Sequence, residues 1–166
     1  MWFLLGVVAL EAMLQVRFSP MYFFLGIPIF RRTIDCHFGK AETPSPEQIE
    51  ASLPESTFQR FIFKSFDTQT LGFREEFFGR LIQMSYTPVM HGVLSLNRHN
   101  GTVTVTGYAN WSTLVLALLF LHTMDQDDAW FFALALVSII GAIYVVQAKR
   151  FAAVAETTAN LTSSHT

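Results

Sequence analysis

Three apolar runs punctuate this chain, one at its start and two near its end, with alternating polar and apolar stretches between them. The last run, 129–148 (AWFFALALVSIIGAIYVVQA), carries no charge over 20 residues. As a helix it spans about 30 Å, the thickness of a bilayer's hydrocarbon core. Trp130 and Tyr144 lie toward its two ends, where amphipathic rings favour the interface, and Lys149 and Arg150 come directly after it. The run before it, 111–124 (WSTLVLALLFLHTM), reaches only about 21 Å. It must borrow from its flanks, or the bilayer must thin locally. Asp125-Gln126-Asp127-Asp128 between the two runs reads as the tip of a helical hairpin. The first run, 1–16, is apolar apart from Glu11 and Gln15, and Arg17 and Ser19-Pro20 end it. A secretory signal peptide would need a basic start and a small-residue cleavage site. Neither is evident, so a retained short transmembrane helix is preferred.

Between the runs the period changes. Residues 17–32 form an aromatic and basic segment. Gly26 and Pro28 argue against a helix in MYFFLGIPIF (21–30), which reads as an interfacial stretch or as a strand of the neighbouring insert. Residues 33–108 are expected to form that insert, a small α+β unit. Ser45 can cap a short helix with Pro46 at its first position and Glu47 and Gln48 in its first turn. Residues 58–66 and 70–78 read as paired strands across 67–69, and 81–86 as another strand. Asn100-Gly101 predicts a two-residue type I′ hairpin turn. His99 then faces Thr102, Asn97 faces Thr104 and Ser95 faces Thr106, while Leu96 and Leu94 meet Val105 and Gly107. One hairpin face is then polar and the other nearly all apolar, and a one-residue slip would destroy that separation. The tail after 150 is expected to be frayed.

Composition strengthens the membrane reading. Of the 166 residues 51% are hydrophobic, 17 are Phe and 14% are charged, against about 25% charged in a typical soluble domain. The predicted fold class is therefore an α+β membrane protein. It has about three transmembrane helices, one N-terminal and a C-terminal hairpin over 109–148, and a small antiparallel sheet inserted between them. Orientation is set by basic residues near the membrane ends. Arg17, Arg31, Arg32 and Lys40 come after the first run, Lys149 and Arg150 after the last, and the acidic tip has none. That places the N-terminus outside, 17–108 in the cytosol, and the tail 149–166 in the cytosol. The expected location is a bacterial inner membrane. A net charge of −2 leaves no nucleic-acid footprint. The one cysteine, Cys36, excludes an intrachain disulfide.

Candidate chemistry is sparse. The five histidines show no metal-binding spacing, and no GxSxG, Walker or GxGxxG motif exists. No catalytic residue, metal or cofactor is predicted. Glu75 and Glu76 are strand neighbours that point to opposite faces, and Arg74-Glu75-Glu76 is expected to be solvated. His91 is expected to be a hydrogen-bonded sheet residue. Glu11 is the sharpest candidate, because an ionisable group inside a span is a functional candidate by default. His122 is a second, although the topology places the two at different depths. Arg31 and Arg32 are candidate contacts for anionic head groups. Ala135, Ser138, Gly141 and Ala142 form a small-residue stripe suited to close helix packing. The favoured function is a non-enzymatic accessory, assembly or scaffold subunit whose membrane-apposed sheet docks a partner. Its expected partners are lipids and other membrane subunits or further copies of itself. The alternatives are an oligomeric transporter component using Glu11, and a protein or enzyme that binds a lipid or quinone at the interface.

Overall fold

The structure, a computed structural model, describes residues 2–36, 38, 44–54, 60–76, 88–122 and 129–163, with backbone alone for 2–5, 116, 118–122, 129 and 132. In chain order the elements are α1 (Trp2–Val16), α2 (Pro20–Phe24), β1 (Pro28–Asp35), α3 (Pro46–Ser52), β2 (Phe61–Ser65), β3 (Thr70–Glu75), β4 (Met90–Asn97), β5 (Thr102–Ala109), α4 (Trp111–His122) and α5 (Ala129–Ser163). The strands form one antiparallel sheet in the order β1-β5-β4-β3-β2. The chain is thus α+β, with a five-stranded sheet and one long apolar C-terminal helix. Among the described residues, that helix alone is long and apolar enough to cross a membrane, by length and composition; α1 supplies a shorter apolar stretch, Gly6–Val16.

Local signals build most of these elements. Ser45 accepts from Gln48 N, and the Gln48 side chain accepts from Ser45 N, a closed capping box at the start of α3. β2 and β3 pair from Phe61↔Glu75 to Ser65↔Leu71, the hairpin expected across 67–69. The aromatic segment corrects the expectation that 21–30 holds no helix: Met21–Phe24 is helical in α2, because Gly26 and Pro28 lie beyond its end, and β1 starts at Pro28. The expected strand at 81–86 lies outside the described residues.

The β4–β5 hairpin corrects the predicted turn. Asn97 pairs with Thr102 and Leu96 with Val103, so four residues, 98–101, form the loop. Gly101 has φ +64°, whereas Asn100 does not enter the left-handed region, which type I′ requires at both central positions. The register differs from the predicted one by two, an even number that leaves every side chain on its face. Packing therefore cannot choose between the two registers, and polar contacts at the turn do. Asn97 Oδ1 accepts from Asn100 N at 3.1 Å, and Gly101 O accepts from Cys36 N at 2.8 Å, at the end of β1.

Each sheet face has its own cover. On one face Phe61, Phe63, Leu71, Phe73, Leu94 and Val105 meet α3 and the second half of α5. Phe151 is the hub, with ring centroids 4.7 Å from Phe73 and 5.8 Å from Phe61. The expectation of a frayed tail is overturned here. Phe151, Val154, Ala155, Thr158, Ala159 and Thr162 are all buried, and their spacing makes one helical stripe. Small residues let the helix lie close to the sheet. The Thr158 hydroxyl donates to Val154 O and the Thr162 hydroxyl to Ala159 O, so both can be buried without an open donor.

On the other face α2 lies across the helix-bearing end of the sheet, with Tyr22, Phe23, Phe18 and Val93 buried together. A tight reversal aims it there. Ser19 N donates to Leu14 O and Phe18 N to Gln15 O, the Schellman pattern that ends α1. The left-handed residue is Phe18, φ +51°, where glycine is usual. Its ring stacks on Phe23 at 5.2 Å and lies 5.3 Å from the Arg74 guanidinium. That packing opposes a backbone cost of about 1–2 kcal/mol.

Candidate functional site

The densest buried chemistry lies where α1, α2 and α4 meet the end of the sheet. Glu11, the one acidic residue of α1, is 2% exposed. Its Oε1 accepts from the Tyr22 hydroxyl at 2.5 Å and from Trp111 N at 2.6 Å, and its Oε2 accepts from Ser112 N at 2.7 Å. Trp111 and Ser112 open α4, so their N–H groups have no partner within that helix. A carboxylate from α1, 100 positions away in sequence, thus caps α4 and complements its dipole. Asn110, which stands at the cap position, is used elsewhere. Its Nδ2 donates to Pro88 O at 2.7 Å, and its Oδ1 lies 2.8 Å from His91 Nδ1.

The network orients its own protons. Asn110 Oδ1 is an acceptor, so His91 Nδ1 must carry the hydrogen in the neutral ring. His91 Nε2 is then buried without a hydrogen-bond partner among the described residues. The ring is packed by Tyr22 at 4.4 Å, Phe23 at 5.1 Å and Tyr108 at 5.9 Å between centroids. Burial lowers the His91 pKa below its ordinary value; Asn110, the Glu11 charge and the backbone of Tyr22 and Phe23 pull weakly the other way. Tyr22 titrates well above a free phenol, first because it is buried and then because of Glu11. It therefore stays a donor to Glu11 while accepting from Gln15 Nε2 at 2.7 Å.

A second buried network fastens α5. Gln147 Oε1 accepts from Val89 N at 2.9 Å and Met90 N at 3.2 Å, and its Nε2 donates to Glu75 Oε2 at 2.9 Å. Arg150 pairs with the other Glu75 oxygen and lies 4.5 Å over the Phe61 ring. Glu75, expected to be solvated, is 1% exposed. It lies on the face that α5 covers, and the helix brings its counter-ion. Tyr144 adds a hydrogen bond to Ile29 O at 2.9 Å.

The remaining candidates do not join these networks. Arg31 and Arg32 point to opposite faces of β1. Arg32 pairs with Glu156 of α5 at 2.8 Å, while Arg31 is exposed across from Thr106. Ala135, Ser138, Gly141 and Ala142 lie on the exposed side of α5, and the Ser138 hydroxyl bonds back to Leu134 O. His122 ends α4, eleven residues beyond the Glu11 contact, or roughly 16 Å along the axis; its side chain lies outside the described residues. Among the described residues no group of three His, Cys, Asp or Glu could hold a metal ion. Sequence reasoning missed Tyr22, Gln15, Asn110, Gln147 and Arg150 as members of buried networks. The one legible signal was Gln15, four residues after Glu11 on the same helical face.

Comparison with known protein families, with curated proteins and with solved structures finds no match.

Proposed function

We propose that this chain is a small integral membrane protein, a non-enzymatic accessory or assembly subunit, whose sheet is a docking platform held against the inner face of the cytoplasmic membrane. The observation that carries this reading is how the apolar helices join the sheet. α1 and α4 meet at Glu11, and α5 reaches the same end of the sheet at Tyr144 and Gln147. Beyond those contacts α5 exposes Trp130, Phe131, Leu134, Val137 and Ile139. A surface of that kind suits lipid rather than water. With α1, α4 and the first half of α5 as spans, the sheet lies on one side of the bilayer, as the basic residues at 17, 31, 32, 149 and 150 favour.

The docking surface is the uncovered half of the α2-bearing sheet face, toward the turns. Thr33, Thr104, Ser95 and Thr70 form one row of hydroxyls across four strands. Each is partly or fully exposed. Glu11 is engaged as a helix cap, which favours an architectural role over transport.

Two measurements test the proposal. The chain should resist alkaline carbonate extraction of membranes and yield to mild detergent as part of a larger assembly. Thr33→Lys/Thr104→Lys should then reduce the native mass to that of the chain alone, with its circular dichroism unchanged. Release by carbonate, or a single-copy mass for the natural chain in mild detergent, contradicts it.

A further inference from the structure

The turn between α1 and β1 holds large apolar side chains outward on a fixed backbone. Met21 is 76% exposed, and Phe24, Leu25, Ile27 and Ile29 are exposed beside it. This is no loose loop. Leu25 O accepts from Trp111 Nε1 at 3.2 Å, and Ile27 O accepts from Ala109 N at 2.9 Å. Tyr22 and Phe23, on the inner side of the same helix, are fully buried, and Phe18 sets its direction. The outward residues are therefore preorganised and cannot fold back to hide their surface. Arg17 and Arg31 flank the patch in sequence, are exposed, and make no ion pair among the described residues.

We infer that the α2 patch inserts into an anionic bilayer surface, with Met21, Phe24, Leu25 and Ile27 among the upper acyl chains and Arg17 and Arg31 on lipid phosphates. This rests on the membrane reading above and adds a lateral contact that the spans do not require. Three features select this occupant. Exposed apolar residues flanked in sequence by two exposed arginines match the layering of an anionic interface. The patch adjoins the start of α4, where the Trp111 indole pins it. The flanking charges are guanidinium groups, which bind phosphate bidentately. The spans fix which end of the sheet meets the membrane; this contact selects the face that leans toward lipid.

The test uses the full chain, with Cys36→Ala, in nanodiscs containing phosphatidylglycerol and one copy per disc. A bimane label is placed in turn at Met21→Cys, Val137→Cys and Thr104→Cys. Lipids brominated high on the acyl chain should quench the Met21 label at least twofold and leave the Thr104 label unchanged. Purely zwitterionic lipid, or Arg17→Gln/Arg31→Gln, should remove at least half of that quenching. Quenching at Met21 no greater than at Thr104, or indifferent to anionic lipid and to the arginines, overturns the inference. So does a Met21 label that becomes buried only with two copies per disc, because a second chain then covers the patch. The Val137 label, read in lipid brominated near the end of the acyl chain, separates the two readings. If it is quenched while Met21 is not, only the inserted patch fails; if neither is quenched, the spanning account fails as well.

Discussion

Glu11 illustrates how one side chain can replace local capping chemistry. α4 begins after Asn110, a good capping residue by type, yet that amide is turned toward Pro88 and His91. The cap comes from α1. Glu11→Gln keeps the shape but removes the charge that three donors address, and should lower stability in detergent by about 1–3 kcal/mol. Tyr22→Phe should cost a similar amount, because Trp111 and Ser112 still hold the carboxylate while the buried Gln15 amide loses its acceptor; unfolding midpoints check both. His91 yields a pH prediction. Burial holds its folded-state pKa below the ordinary histidine value, which is about 6.5, so the unfolded chain binds the proton more readily. The stability gained from the neutral ring is complete above that ordinary value. It is lost as pH falls from there toward the folded-state pKa, at no more than about 1.4 kcal/mol per pH unit. His91→Gln should flatten that part of the stability profile; an unchanged slope would place the titration elsewhere.

At the scale of elements, the hairpin and α5 show which signals carry. Alternation along 102–109 was legible and holds, with Val103, Val105 and Ala109 buried and Thr102, Thr104 and Thr106 less so. The loop was not, since Asn-Gly suits more than one turn and an even shift preserves both faces. Three substitutions, ranked by cost, separate the registers. Gly101→Ala meets a positive φ and the Cys36 carbonyl at 2.9 Å, and should cost at least about 1–2 kcal/mol. Asn100→Ala should cost under about 0.5 kcal/mol, and Asn97→Ala about 1 kcal/mol for its lost turn bond; the reverse ranking would favour the two-residue turn. In α5, the stripe from Phe151 to Thr162 was present in the sequence. The preceding apolar run and Lys149-Arg150 suggested that the helix had ended. Arg150 instead reaches a buried Glu75. Arg150→Met should cost about 3–5 kcal/mol by stranding that charge, and adding Glu75→Gln should recover much of the loss. A double-mutant cycle in detergent measures both.

At the scale of the whole molecule, the sheet is joined to its apolar helices with little slack. Only Asn110 separates β5 from α4, and α5 passes from its exposed half to the sheet without a break. Sequence patterns carried the α+β class, the helix at Ser45 and the β2–β3 hairpin, and they singled out Glu11 as an ionisable group in an apolar helix. They could not supply Glu11 with its partners, because Tyr22, Trp111 and Ser112 come together only when β1 pairs with β5 and brings the first strand beside the last. The sheet order thus makes the junction, and the junction holds the sheet at the apolar end of the molecule. Labelling of intact cells with a membrane-impermeant thiol reagent tests this arrangement most directly, in a Cys36→Ala background. A cysteine at Gln126, in the predicted outer tip, should react, and one at Asn100, at the far turn of the sheet, should react only after lysis. Reaction at Asn100 in intact cells, with Gln126 protected, would contradict the account.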